Sequence, residues 1–137
     1  IKSLPQLTDV GAWRPKREGK WANTPNPSPD EPKDYGGFYT HEDIKELVQY
    51  AKERFVNILP EIDIPGHSMA MLAAFPDLSA TPGTKYWVNA GEKFMEWPAG
   101  AHFYALKDNH LSPANEKVYQ VLDKVFTEVA QLFPFEY

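Results

Sequence analysis

Apolar residues recur along this 137-residue chain with two different periods, and the change of period marks out its elements. Ile44, Leu47, Val48, Ala51 and Phe55 fall at helical spacing, with Glu42, Lys45, Glu46, Lys52 and Glu53 between them. One apolar stripe at a period near 3.6 predicts an amphipathic helix over 41–54. Thr40 marks its start: a threonine at the N-cap with Asp43 three positions later is a capping-box arrangement. A second stripe, Val118, Val121, Leu122, Val125, Phe126, Val129 and Leu132, predicts another helix. Ser112 is its expected N-cap, with Pro113 at the first helical position, and Pro134 closes it.

Between the helices the pattern changes. Phe55 to Asp63 is β-branched and aliphatic without strict alternation, as expected of a parallel strand covered on both faces. Pro60 removes one ladder donor and fits only near a strand end. Pro65-Gly66 stops the strand, and Ser68 to Phe75 is expected to form a short helix. Residues 76–111 read as a long loop rich in Pro, Gly and aromatics. Upstream, Leu4, Leu7, Val10 and Trp13 form a short apolar patch. Pro25, Pro27, Pro29 and Pro32 rule out helix or central strand in the segment that follows, and Gly36-Gly37 marks a turn. Helix, buried strand, long loop, helix and the aromatic opening of a further strand at 133–137 is an α/β order with parallel strands. The chain starts at Ile1 with no signal-peptide pattern and stops inside that apparent strand, so it is expected to be a piece of something larger.

Composition narrows the function classes. A net charge of -5 without a Lys/Arg cluster argues against nucleic acid as partner. No apolar run approaches the roughly 20 residues of a membrane span. With no cysteine there are neither disulfides nor thiolate metal sites. Aromatic residues, 14% of the chain with several in predicted loops, suit hydroxyl-rich ligands such as sugars.

The chemistry concentrates in Glu61, Asp63 and His67, at the carboxyl end of the predicted strand, where parallel α/β folds place their catalytic groups. Glu61 and Asp63 share strand parity, and the Pro65-Gly66 reversal returns His67 towards Asp63. A carboxylate beside a histidine fixes the ring for acid/base work. Two other readings stand beside this one. Asp63 and Ser68 cap the next helix with His67 a buried structural histidine, or Glu61, Asp63 and His67 ligate a metal ion.

Pro60-Glu61-Ile62-Asp63-Ile64-Pro65-Gly66-His67 resembles the Pro-Glu-Ile-Asp-x-Pro-Gly-His segment of glycoside hydrolase family 20, the β-N-acetylhexosaminidases. Leu7 to Arg14 is similar to the stretch this family carries after its second barrel strand. Gly36 to Thr40 with the helix into Glu53-Arg54-Phe55 matches a third block, and Leu111 to Glu116 on to Pro134 a fourth. The resemblance implies that residues 1–137 are a segment of a (β/α)8 TIM barrel that removes terminal N-acetylglucosamine or N-acetylgalactosamine from glycans, without a cofactor. In such enzymes the substrate acetamide is the nucleophile. An aspartate orients it and a glutamate is the general acid/base. That Asp-Glu pair belongs to a His-x-Gly-Gly-Asp-Glu motif whose place is just beyond Tyr137, so the segment alone is expected to be inactive.

Carried over by position, His67 is the histidine that hydrogen-bonds the catalytic glutamate, and Asp63 a pocket-side aspartate in support. Glu61, Trp87, Trp97 and Tyr104 are candidate sugar contacts; the aromatic ones alternatively pack the long loop against the barrel. Further polypeptide or self-association is expected to cover open strand edges. The family's usual setting is the periplasm, the extracellular space or the lysosome. A non-catalytic carbohydrate-binding or interaction module is the alternative from another class.

Overall fold

The computed structural model describes residues 1–20, 23–92, 95–96, 104–105 and 109–135. Four α-helices occur among them: α1 (Gln6–Asp9), α2 (His41–Lys52), α3 (Met69–Ala74) and α4 (Glu116–Leu132), with a 3-10 turn at Pro76–Leu78. Two short antiparallel ribbons accompany them. β1 (Trp13–Arg14) pairs with β2 (Tyr35–Gly36), and β3 (Met95–Glu96) with β4 (Tyr104–Ala105).

The helix starts follow side-chain chemistry. Thr40 caps α2 with both halves of the capping box in place: its hydroxyl accepts from the Asp43 N–H at 3.1 Å, and Asp43 accepts from the Thr40 N–H at 2.8 Å. α4 begins three residues later than its Ser-Pro signal predicts. Asn115 is the N-cap, accepting from the Lys117 N–H at 3.1 Å, while its amide donates to the Asp77 carbonyl at 2.8 Å. Pro113 sits in a turn that precedes the helix. A side chain that satisfies both a helix end and a distant carbonyl outcompetes the local proline preference. The turn from Gly11 into β1 and back through β2 requires glycine at 36, where φ is +153° and a Cβ would stand 1.9 Å from the Ala12 carbonyl oxygen.

The core gathers Leu72, Leu78, Leu111, Val118 and Leu122, with Ile64, Met71, Phe75, Tyr86 and Val121 packed against it. It therefore joins α3, the 3-10 turn and α4 to the segment that ends at Ile64. Val48 and Ala51 are the buried positions of α2, which packs on α4.

Residues 57–64 depart from expectation. They have no ladder partner among the described residues, so no parallel strand is formed there. Their exposure nonetheless alternates strictly: Asn57, Leu59, Glu61 and Asp63 are exposed, whereas Ile58, Pro60, Ile62 and Ile64 are half-buried. That period of two is the signature of an extended segment with one face covered. Phe55, placed at the strand start by its apolar character, is 100% exposed at φ +58°, in the turn that leaves α2. The expected strand opening at 133–137 is likewise unassigned over 133–135, and its last two residues lie outside the described ones.

Candidate functional site

The segment carrying Glu61, Asp63 and His67 is held from behind. The Leu111 N–H donates to the Pro65 carbonyl at 2.9 Å, and the Ser68 N–H donates to the Asn109 carbonyl at 3.1 Å. The Ser68 hydroxyl, buried, turns back on the Pro65 and Gly66 carbonyls at 3.0 Å each instead of capping α3. Next to this, the Ala80 N–H donates to the His110 carbonyl at 3.0 Å and the Ser112 N–H to the Leu78 carbonyl at 2.8 Å. Leu111, 1% exposed, fills the space between these bonds. The turn thus rests on the closing end of the long loop and, through it, on the hydrophobic core.

On that support His67 adopts φ +56°, a left-handed conformation that non-glycine residues visit infrequently and functional sites tolerate. The reversal brings its Nδ1 to 3.6 Å from Asp63 Oδ2. Both side chains stand open, His67 81% and Asp63 59% exposed, and Glu61, two residues before Asp63 on the extended segment, is exposed too. The structure therefore unites Asp63 and His67 as the Pro65-Gly66 turn predicts, and leaves Glu61 exposed nearby in sequence. In this chain the Ser68 side chain does not cap α3, and His67 is exposed rather than buried. No group of three or more His, Asp or Glu able to hold a metal ion forms among the described residues.

The loop aromatics divide. Trp87 is half-buried and its indole Nε1, buried, has no hydrogen-bond partner. Trp97 lies outside the described residues, and Tyr104 is placed by its backbone in β4.

A second polar region has no signal in the sequence pattern. Arg17 and Glu31 form a forked ion pair, one arm at 2.7 Å, across the proline segment. The Arg17 hydrogen bond holds the Glu31 carboxyl down at about 2, and the same bond raises the Arg17 guanidinium. The Glu31 carboxylate is committed to Arg17. Beside the pair, Thr24 bridges to Glu92, joining the loop before α2 to the loop after Ile64.

Comparison with known proteins places these features in context. The family model described as glycosyl hydrolase family 20, catalytic domain, matches residues 1–137. A beta-hexosaminidase of Vibrio furnissii is 43% identical over 134 residues, which are 98% of this chain and 19% of that protein. A beta-hexosaminidase of Porphyromonas gingivalis is 34% identical over 137 residues, 100% of this chain and 14% of the relative. Among solved structures, an exo beta-N-acetylglucosaminidase from Vibrio harveyi in complex with N-acetylglucosamine superposes with a TM-score of 0.65 at 37% identity, covering 98% of this chain and 18% of that one. A Streptomyces plicatus N-acetyl-beta-hexosaminidase gives a TM-score of 0.68 at 28% identity, covering 100% and 22%. The chain thus spans less than a fifth of the length of these two curated relatives.

Proposed function

We propose, from the premise that this chain belongs to the glycosyl hydrolase family 20 catalytic domain, that it supplies one side of the sugar-hydrolysing centre of a β-N-acetylhexosaminidase. The surrounding architecture is a (β/α)8 barrel. The substrates are glycans ending in N-acetylglucosamine or N-acetylgalactosamine, met in the periplasm, the extracellular space or the lysosome. Hydrolysis proceeds with retention: the acetamide oxygen of the substrate attacks its own anomeric carbon while a glutamate protonates the departing oxygen. Water then opens the cyclic intermediate with that glutamate as base.

The observation that carries this reading is the Asp63–His67 pairing, 3.6 Å apart on the open face at the carboxyl end of an extended segment. In the intact enzyme Asp63, already 3.6 Å from Nδ1, would hold the imidazole ring so that Nε2 is left for the glutamate. His67 is then a positioning residue: Nε2 meets the catalytic glutamate and adjusts its proton affinity. Glu61 and the Trp87 indole are sugar contacts in this scheme. The His-x-Gly-Gly-Asp-Glu motif that would supply the glutamate is not among these 137 residues, so the chain by itself turns over no N-acetylglucosaminide.

The test uses the intact enzyme carrying these residues and a chromogenic N-acetylglucosaminide. His67→Asn is expected to lower kcat by about 10- to 100-fold, short of the upper end of the roughly 10²–10⁴ attached to a group that itself moves the proton. It also displaces the limb of the pH–rate profile that reports the general acid, and Asp63→Asn displaces it in the same direction. A merely structural His67 would lower activity and leave the profile where it was. That result, or turnover by the 137-residue chain alone, overturns the respective part of the proposal.

A further inference from the structure

Arg14, Lys16 and Arg17 fall within one short stretch of chain, and all three line a single cavity. It measures about 200 Å³ and lies where the segment after β1 meets the loop through Gly91, with Thr24 and Tyr35 also in its wall. The two sides are joined to each other. The Thr24 N–H donates to the Gly91 carbonyl at 3.3 Å, and Arg14 Nη1 to the Asn89 carbonyl at 3.4 Å. The Arg14 guanidinium also lies 5.3 Å over the Tyr35 ring, a cation–π contact that helps hold it in place. No carboxylate is among the described residues that line the cavity.

Two of the lining residues carry a buried polar atom without a partner: Arg17 Nε and Thr24 Oγ1. Such atoms are rare in folded proteins, and each asks for an explanation. Glu31 takes the two outer nitrogens of Arg17 and leaves Nε over. Nε can only donate, and a threonine hydroxyl can donate as well as accept. Three carboxylates bear on these cations from outside the wall. Glu31 is engaged by Arg17, and Glu18, 3.9 Å from Lys16 Nζ, is exposed and screened by solvent. Glu92 is buried, with Oε2 accepting from the Ala90 N–H at 2.8 Å. After Glu31, it offsets part of the charge on Arg17, but it does not line the cavity.

The occupant that fits is small, negative and rich in acceptors. A metal cation would meet three positive charges. Water would satisfy Nε and the hydroxyl but leave those charges together without a counterion. A tetrahedral oxyanion presents acceptor oxygens in several directions at once, and arginine is the side chain whose donors match it best. The volume, below the roughly 300–1,000 Å³ of drug-sized sites, suits an ion. We propose that this cavity binds a free inorganic oxyanion, phosphate or sulfate, with Arg14, Lys16, Arg17 and Thr24 as its donors. Held from both sides, the ion reinforces the bonds that Thr24 and Arg14 make to the other loop. The proposal stands without the hydrolase reading, since it uses none of Glu61, Asp63 and His67.

The test dialyses the intact enzyme free of both ions and titrates phosphate and sulfate separately by calorimetry, at constant ionic strength with chloride as the balancing anion. One saturable site per chain is expected. Thr24→Val removes the hydroxyl and keeps the shape, while Arg14→Gln and Lys16→Gln each remove a charge. Each is expected to weaken binding by about tenfold, the scale of one hydrogen bond to a charged group. Lys16 is exposed, so its substitution leaves the fold undisturbed. Lys33→Gln, at an exposed lysine outside the cavity, leaves the affinity unchanged. The bound ion also raises the unfolding midpoint above its value in chloride, and by less in Thr24→Val. If neither ion gives a saturable site, water fills the cavity and the proposal is overturned. If an ion binds and the three cavity variants keep full affinity, it sits elsewhere and the proposal is overturned as well.

Discussion

Glu128, on α4, draws together more of this molecule than any contact read from sequence. Its carboxylate accepts the Lys2 and Ser3 N–H groups at 2.7 Å each and the Ser3 hydroxyl, and His41 Nε2 lies 3.2 Å away. Burial pushes the carboxyl up, but the donors from Ser3 and Lys2 outweigh it and hold it at about 2, against an ordinary 4.5. A carboxyl lowered on folding contributes stability above its unfolded value, and that stability drains away as pH falls towards the folded one. Urea midpoints should therefore decline between about pH 5 and 2. Glu128→Gln is expected to cost about 1–3 kcal/mol at neutral pH, because it removes the charge that strengthens the hydrogen bonds from Lys2 and Ser3, and to flatten that decline. An unchanged slope in the variant rejects the assignment.

At the scale of elements, the core residue with most to lose is Leu72. It is wholly buried where α3, the 3-10 turn and α4 meet. Leu72→Ala should cost about 2–5 kcal/mol in denaturant titrations of the intact enzyme, and it loosens the wall behind the Asp63–His67 turn. The elements differ in how openly they were written. α2 and its Thr40 box, and the apolar stripe of α4, are local patterns and could be read from neighbours in the chain. The Asp63–His67 approach was legible for the same reason, since four residues and a proline turn determine it. Asn115 displaced Ser112 as the N-cap because Asp77, 38 residues away, rewards it. The Arg17–Glu31 pair and the Thr24–Glu92 bridge likewise depend on how loops fold onto each other, and no periodicity encodes that. The apolar side chain of Phe55 suits a strand, yet the turn out of α2 takes its backbone at φ +58°.

Over the whole molecule, the apolar surface is uneven. Leu59 on the extended segment, Val56 before it, Tyr39 and Leu47 around α2, and Phe126 on α4 are all exposed. An apolar surface of this kind calls for cover, and the relatives' length is five- to sevenfold that of the matched part. The N–H groups of residues 57–59 and 61–63 have no acceptor among the described residues. Hydrogen exchange should therefore be fast at these amides in the 137-residue polypeptide on its own and slow in the longer enzyme, while α4 amides are protected in both. Equal protection of 57–63 in the two forms would mean that nothing further pairs with this segment.

The bond from Lys2 to Glu128 closes 126 residues of chain. Synthesis proceeds at about 5–20 residues per second, so roughly 6–25 s pass between the emergence of one partner and the making of the other. For that interval α1 and the approach to α2 wait without their anchor. Contacts that reach so far along the sequence slow folding, and this one makes α4 the element whose arrival anchors the N-terminal segment.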